Sequence, residues 1–139
     1  MPLKIILTSC FCDFKLVEGH EAASALISRN GLLDAFKSVW VNAARVLIIC
    51  SDPDDYSGND ELCERMRASF LLSGLDVKNI EICDNRRLDL AERLNSFDVL
   101  VFAGGHVPTQ NRFMKKIALK ERLRSYNGSI VALSAGSMN

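Results

Sequence analysis

The sequence predicts a single α/β domain, residues 1–139, with a doubly wound, mainly parallel sheet and helices on both faces. Strand-like and helix-like segments alternate along the chain in the order β, α, β, α, β, α, β, α, β. Of the 139 residues, 48% are apolar and 24% are charged, which is typical of one compact domain with its own core. The run Val99–Ala103 is apolar throughout, as expected of a central parallel strand covered on both faces.

The first half of the chain is predicted to contain two strands and two helices. Leu3–Ser9 is apolar and β-branched, which predicts the first strand, and Arg45–Cys50 predicts a buried second strand. Between them, apolar residues recur at helical spacing, at Leu32, Leu33, Phe36, Val39 and Trp40. The polar segment 51–60 is turn-forming and can cap the next helix, which we expect to stop near Gly74. One side of that helix is apolar, at Leu62, Met66, Phe70 and Leu71.

The second half is predicted to add three strands and two helices. The strands are Val77–Ile82, Val99–Ala103 and Ser129–Leu133. The helices are a short one, Leu88–Leu94, and a basic amphipathic one, Arg112–Arg124. In a doubly wound sheet, ligands bind beyond the carboxyl ends of the strands, so candidate site residues are sought there.

Charge and composition exclude several classes of partner. Lys and Arg number 17, as do Asp and Glu, so the formal net charge is zero and no basic face for nucleic acid or an anionic membrane is expected. The apolar runs are too short to span a bilayer. The first residues form a strand-like run without leader features, and five scattered cysteines make no disulfide framework. We therefore expect a cytoplasmic protein with reduced thiols.

The strongest chemical signal is at the end of the last predicted strand. There an apolar strand runs into Ala132-Leu133-Ser134-Ala135-Gly136, the small-x-Ser-x-Gly pattern of a nucleophile elbow. The chain reverses so sharply at such an elbow that the residues two before and two after the nucleophile must be small. Ser134 satisfies both requirements, whereas Ser137 has no glycine at that spacing and is given a capping or supporting role. The simpler alternative is a serine that only caps a helix.

A glycine pair supports the nucleophile interpretation. Gly104 and Gly105 close the preceding strand, at the edge of the sheet where Ser134 is expected. Glycine lets backbone N–H groups approach a substrate closely. An amide of this pair, together with the amide of Ala135, could hold the negative charge of a tetrahedral intermediate. The alternative is an ordinary turn from strand to helix.

Three motifs resemble the dipeptidase E and cyanophycinase family of serine peptidases: Leu7-Thr8-Ser9, Val101-Phe102-Ala103-Gly104-Gly105 and Leu133-Ser134-Ala135-Gly136-Ser137. That family has the class I glutamine amidotransferase-like, flavodoxin-like fold, and the resemblance extends over essentially the whole chain. It implies that Ser134 is the nucleophile and that amides of Gly104 or Gly105 and of Ala135 form the oxyanion hole. The implied reaction is hydrolysis of a peptide or other small amide without a metal or cofactor.

The sequence departs from that family at two points. His106-Val107-Pro108-Thr109 follows the glycine pair, where the family has Asn or Asp and then Thr, so specificity for an Asp-containing dipeptide is not implied. The family's catalytic His and acidic residue lie downstream of the nucleophile, and Asn139 is only five residues after Ser134. The chain is therefore expected to be the N-terminal portion of a longer hydrolase and to be inactive alone.

Two residues near the glycine pair are candidates to bind substrate. His106 occupies the family's substrate-binding turn. It is interpreted either as a residue that contacts substrate or as an ordinary turn histidine. A role for His106 as general base is the weaker interpretation. Arg112 lies just after this turn and is a candidate to bind a substrate carboxylate. His20 is interpreted as a solvated loop histidine.

The remaining chemical signals are weak. The Asp-rich segment 52–60 fails the EF-hand pattern and is better explained by turn and cap chemistry. Cys10, Cys50 and Cys83 fall near strand ends but are interpreted as buried small hydrophobic residues. The basic helix is interpreted as a solvated outer face, and no metal site is predicted.

Two classes of function therefore stay open. The leading one is a serine hydrolase acting on a small peptide or amide through Ser134. The alternative is a non-catalytic amidotransferase-like module that binds a small ligand or a partner chain, favoured if the protein ends at Asn139. A glutamine amidotransferase would need a thiol where Ser134 stands. A homo-oligomer is compatible with either class.

Overall fold

The computed structural model describes residues 4–8, 15–17, 20–22, 37, 40–103 and 107–133. Most of the predicted helix around residues 32–40 lies outside this part of the chain. The elements follow in the order β1 (Lys4–Thr8), β2 (Lys15–Val17), β3 (His20–Ala22), β4 (Ala44–Ile49), α1 (Tyr56–Leu72), β5 (Val77–Cys83), a 3-10 helix (Leu88–Ser96), β6 (Val99–Phe102), α2 (Val107–Lys116), α3 (Leu119–Leu123) and β7 (Ser129–Leu133).

Five of the strands form one sheet in the order β1-β7-β6-β4-β5. Every pairing within this sheet is parallel. The strands β2 and β3 form a separate antiparallel hairpin, which the sequence analysis did not predict. The mainly parallel α/β architecture is therefore confirmed.

The order of the strands predicts helices on opposite faces of the sheet. The connection from β4 through α1 leads to β5 at one edge, whereas the connection from β6 through α2 and α3 leads to β7 in the opposite direction. Because such crossovers are right-handed, helices on paths of opposite direction cover opposite faces of the sheet. The direction changes between β4 and β6, which is where an open α/β sheet has its ligand crevice.

The centre of the sheet is the core of the molecule. All four residues of β6 are buried, and β4 is buried except at Arg45. Met66 and Phe70 of α1 are fully buried in the same apolar cluster. Parallel strands covered on both faces must be apolar on both, which explains the apolar runs Val46–Ile49 and Val99–Phe102.

Local sequence fixes both ends of α1. The Asp55 side chain caps its first turn by accepting a hydrogen bond from the Gly58 N–H at 3.2 Å. At the other end Gly74 has a φ of +80°, and the Leu75 N–H donates to the Phe70 carbonyl oxygen at 2.9 Å. This is the Schellman arrangement, and it confirms the predicted stop at Gly74.

The basic helix predicted over Arg112–Arg124 is wrong in its extent. The structure has two helices here, because α2 begins at Val107 and ends at Lys116, and α3 follows from Leu119. Pro108 suits the first turn of a helix, where its missing N–H has no intrahelical partner. Ala118, between the two helices, has left-handed φ and ψ of 52° and 41°, and no right-handed helix continues through that conformation.

Two smaller corrections concern the neighbouring elements. The short helix predicted over Leu88–Leu94 is a 3-10 helix that extends to Ser96 and has non-helical backbone angles at Arg93. The side chain of Leu71, predicted to be on the buried side of α1, is 53% exposed. Within the described part of the chain, no helix is long and apolar enough to cross a membrane.

Candidate functional site at the carboxyl edge of the sheet

The two strands that lead into the predicted catalytic motifs are neighbours. β6 and β7 run parallel and in register, and Phe102 at the end of β6 is paired with Ala132. The predicted site residues directly after these strands lie outside the described residues: Gly104, Gly105, His106, Ser134 and Ala135. The described structure therefore gives the relative position of the two strand ends.

A buried glutamine ties α2 to the end of β6. The side chain of Gln110 is fully buried, and its Nε2 donates a hydrogen bond to the Ala103 carbonyl oxygen at 2.6 Å. The Ala103 N–H in turn donates to the Ile49 carbonyl oxygen at 3.0 Å. The last residue before the glycine pair is thus held from both sides. Gln110 was not among the predicted site residues, although a polar residue on the apolar side of an amphipathic helix is a signal that could have identified it.

Arg112 is placed on the second turn of α2. Its side chain is exposed, and it makes no ion pair with the described acidic residues. It remains available to an anionic group of a ligand, as the sequence analysis proposed. The turn beside which it was predicted, residues 104–106, lies outside the described residues.

A charged network lies at the carboxyl ends of β4 and β5. The Asp84 carboxylate, directly after β5, is fully buried and accepts a hydrogen bond from Arg86 Nη2 at 2.7 Å. The same guanidinium donates to both carboxylate oxygens of Asp60 on α1, at 3.1 and 2.7 Å. Its carbon is 4.6 Å from the ring centroid of Tyr56, a cation–π contact. Arg86 therefore connects the loop after β5 to the first turns of α1.

Asn59 completes the enclosure of Asp84. Its Nδ2 donates to the Asp84 carboxylate at 3.2 Å and to the Asp52 carbonyl oxygen at 2.9 Å. Burial alone would raise the pKa of Asp84, but the hydrogen bonds from Arg86 and Asn59 outweigh burial and hold that pKa below its usual range. A buried carboxylate that stays ionised in this way serves to hold the loops together.

The Asp-rich loop that precedes α1 is explained by turn and cap chemistry. The Asp52 carboxylate accepts from the Asp54 N–H at 3.1 Å, and Asp55 caps α1. The Asp54 carboxylate accepts from Asn85 Nδ2 at 2.5 Å. Of the residues that the structure describes, no three His, Cys, Asp or Glu residues are grouped so as to hold a metal ion.

Three described cysteines are free thiols with raised pKa values. Burial raises the pKa of Cys63 to about 11 and that of Cys83 to about 12. Burial, followed by the neighbouring charge of Asp84, raises the pKa of Cys50 still further. A thiol with so high a pKa carries almost no thiolate at neutral pH. These three cysteines are therefore poor nucleophiles, and the burial of Cys50 and Cys83 agrees with their interpretation as small buried hydrophobic residues. Cys10 lies outside the described residues.

Comparison with protein families and curated proteins identifies no relative. No protein-family model matches the chain, and no curated protein is significantly similar to it in sequence. The likeness of its motifs to the serine peptidases therefore stays a prediction.

Proposed function

We propose that the protein is a serine hydrolase that cleaves a peptide or another small amide. The observation that supports this proposal is the pairing of β6 with β7, in parallel and in register up to Phe102 and Ala132. The glycine pair follows the first of these strands by two residues, and Ser134 follows the second directly. Two motifs that are distant in sequence thus leave the sheet at adjacent strand ends.

Adjacent strand ends suit acyl-transfer chemistry. Neighbouring strands are about 4.8 Å apart, so groups that follow them can contact the same carbonyl group of a substrate. Ser134 would supply the nucleophilic oxygen, and amides of Gly104 or Gly105 and of Ala135 would donate to the developing oxyanion. Hydrogen bonds to Gln110 and Ile49 fix the position of Ala103, the residue that precedes the glycine pair.

The proposed reaction follows the general course of serine hydrolases. The Ser134 oxygen attacks the amide carbon while its proton passes to a histidine, and the carbonyl oxygen becomes an oxyanion. Collapse of the intermediate breaks the C–N bond, the leaving amine takes the proton from the histidine, and water then hydrolyses the acyl-enzyme. In the family that the motifs resemble, the histidine and its acidic partner follow the nucleophile in sequence. His106 and Arg112 are proposed to contact the substrate.

Covalent labelling tests the proposed nucleophile. The protein produced from its natural gene is treated with an alkyl fluorophosphonate, and the adduct is located by peptide mass spectrometry. We expect one adduct, on Ser134, which is lost in the Ser134→Ala variant. The Ser137→Ala variant is the matched control, because it removes a hydroxyl three residues away and should label as the unmodified protein does.

Two outcomes would contradict the proposal. One is the absence of any adduct on the folded protein, which would favour the non-catalytic binding module instead. The other is equal labelling of the Ser134→Ala variant, which would place the reactive group elsewhere. Circular dichroism of both variants shows whether the fold is retained.

A further inference from the structure

A recess with an apolar floor lies between the α2–α3 pair and the end of β6. Its volume is about 830 Å³, which is within the range of small-molecule sites. Its floor and walls include Phe102, the last residue of β6, together with Met114, Leu119 and Leu123 from the two helices. We name it the α2–α3 groove. None of the residues that are proposed to catalyse hydrolysis lines the α2–α3 groove.

Three cations surround this groove. Lys115, Lys120 and Arg124 are exposed, and none of them is within ion-pair distance of a carboxylate in the described part of the chain. Glu121 is the single acidic residue among the lining residues, so positive charge is in excess. Unpaired cations around an apolar floor attract a ligand that combines an anionic group with an apolar body.

The turn between α2 and α3 has a defined backbone conformation. Ala118 adopts a left-handed conformation, which is uncommon for a residue other than glycine and which costs free energy. The turn is secured by Arg122, whose Nε donates to the Ile117 carbonyl oxygen at 2.9 Å. The turn separates α2 from α3, and cations from both helices line the same opening.

The floor favours a small molecule over a protein partner. Leu119 and Phe102 are only 2% and 9% exposed, and Met114 and Leu123 are half-buried, so little of the apolar lining projects from the molecule. The strongly exposed large apolar residues of the described chain all lie elsewhere, at Val41, Tyr56, Leu71, Leu72 and Leu88. A protein docking over this opening would bury little projecting apolar surface, whereas an alkyl chain can enter it.

We propose that the α2–α3 groove binds a small amphipathic anion, an apolar chain that ends in a carboxylate or a phosphate. The chain would lie against Met114 and Leu123, with Phe102 beneath them, and the anionic end would be bound by Lys115, Lys120 and Arg124. A fatty acid and an alkyl phosphate share this chemistry. This binding is independent of chemistry at Ser134.

Calorimetric titration tests the proposal with the protein at low ionic strength. The ligands are decanoate and decyl phosphate, both kept below the concentration at which they form micelles, and decanol as the uncharged analogue. We expect saturable binding of at least one anion at a single site and much weaker binding of decanol. Shortening decanoate to octanoate should weaken binding by up to about fourfold per methylene group, and added salt should weaken it further.

A charge variant and a matched control locate the site. The triple variant Lys115→Gln, Lys120→Gln, Arg124→Gln should lower the affinity roughly tenfold, since each exposed charge interaction contributes modestly. The control, Arg45→Gln with Lys78→Gln, removes two cations that also form no ion pair with the carboxylates that the structure describes but line a different cavity. It should leave the affinity within about twofold.

Three results would overturn the proposal. They are the absence of saturable binding by either anion, equal binding of decanol, and an affinity that falls no more in the triple variant than in the control. All five substituted side chains are exposed, so we expect both variants to fold normally. Thermal melting of each variant checks this. Failure here would leave the labelling experiment on Ser134 unaffected, so the two proposals are separable.

Discussion

Gln110 is the residue that secures the end of β6. Its fully buried side chain donates to the Ala103 carbonyl oxygen, so the first turn of α2 and the end of the strand are fixed together. Removing one partner of a buried hydrogen bond leaves the other unsatisfied and costs more than the bond itself contributes. Gln110 therefore matters to stability and to the position of Ala103.

Replacing Gln110 should destabilise the protein. We expect Gln110→Ala to lower the free energy of unfolding by about 1–3 kcal/mol, because the Ala103 carbonyl loses its buried donor. Urea denaturation followed by circular dichroism measures the change. The control is Asn111→Ala at the exposed neighbouring position, which should change stability by no more than about 0.5 kcal/mol. Equal effects of the two substitutions would show that the Gln110 hydrogen bond is unimportant.

For individual residues, the sequence predicts only the roles that depend on neighbours in the chain. Ser134 and the glycine pair stand out because an elbow requires small residues at fixed short spacing. Asp84 does not stand out, because Arg86 is near it in sequence but Asn59 is 25 residues away. The ionisation of Asp84 depends on that distant contact as well as on its burial, and neither can be read from a local pattern.

Among the elements, the α2–α3 turn depends on one unfavourable backbone conformation. Ala118 has a φ of 52° without a side chain that compensates for it. A left-handed conformation costs a non-glycine residue about 1–2 kcal/mol, whereas glycine adopts it freely. The turn is therefore maintained by the packing around it, including the fully buried Phe113 and Leu119.

Glycine at position 118 should stabilise the protein. We expect Ala118→Gly to raise the free energy of unfolding by about 0.5–1 kcal/mol, after allowing for the greater flexibility of glycine in the unfolded chain. The same change within α1, Ala68→Gly, is the matched control and should lower stability by about 1 kcal/mol. Both are measured by thermal and urea unfolding. A loss of stability at both positions would contradict the assigned role of the Ala118 backbone.

Strands were easier to predict than the helical segment after β6. The apolar runs at β4, β6 and β7 are confirmed to within a residue at each end, because parallel strands buried on both faces have an unmistakable composition. The break at Ala118 was missed because alanine is the strongest helix former and gives no signal of a turn. The hairpin of β2 and β3 consists of two strands of three residues each, too short for any periodic pattern.

Across the whole molecule, carboxylates with lowered pKa values make stability depend on pH. Hydrogen bonds from Arg86 lower the pKa of Asp60, and those from Arg87 lower the pKa of Asp89. Asp84 is lowered as well, although its burial opposes the change. Since the unfolded chain binds protons more readily at these positions, their stabilisation is present above about pH 4 and is lost as the pH falls through the folded-state values.

Acid unfolding should therefore be less steep in the Asp84→Asn variant. The unmodified protein is expected to lose stability between about pH 4 and pH 2, and the variant should lose less over this interval while being less stable at pH 7. Urea midpoints at a series of pH values measure both effects. Glu92→Gln removes an exposed carboxylate and should leave the curve unchanged. A variant curve that parallels the unmodified one would exclude Asp84 as a source of the pH dependence.

The position of β1 beside β7 has a consequence for synthesis of the chain. Lys4 is paired with Ser129 and Thr8 with Leu133, so the first strand of the sheet has its only partner in the sheet at the end of the described sequence. During translation, β1 leaves the ribosome long before β7 and, among the strands that the structure describes, has no native partner until then. Unpaired strand edges promote aggregation, so we expect chains that stall before residue 129 to depend on chaperones.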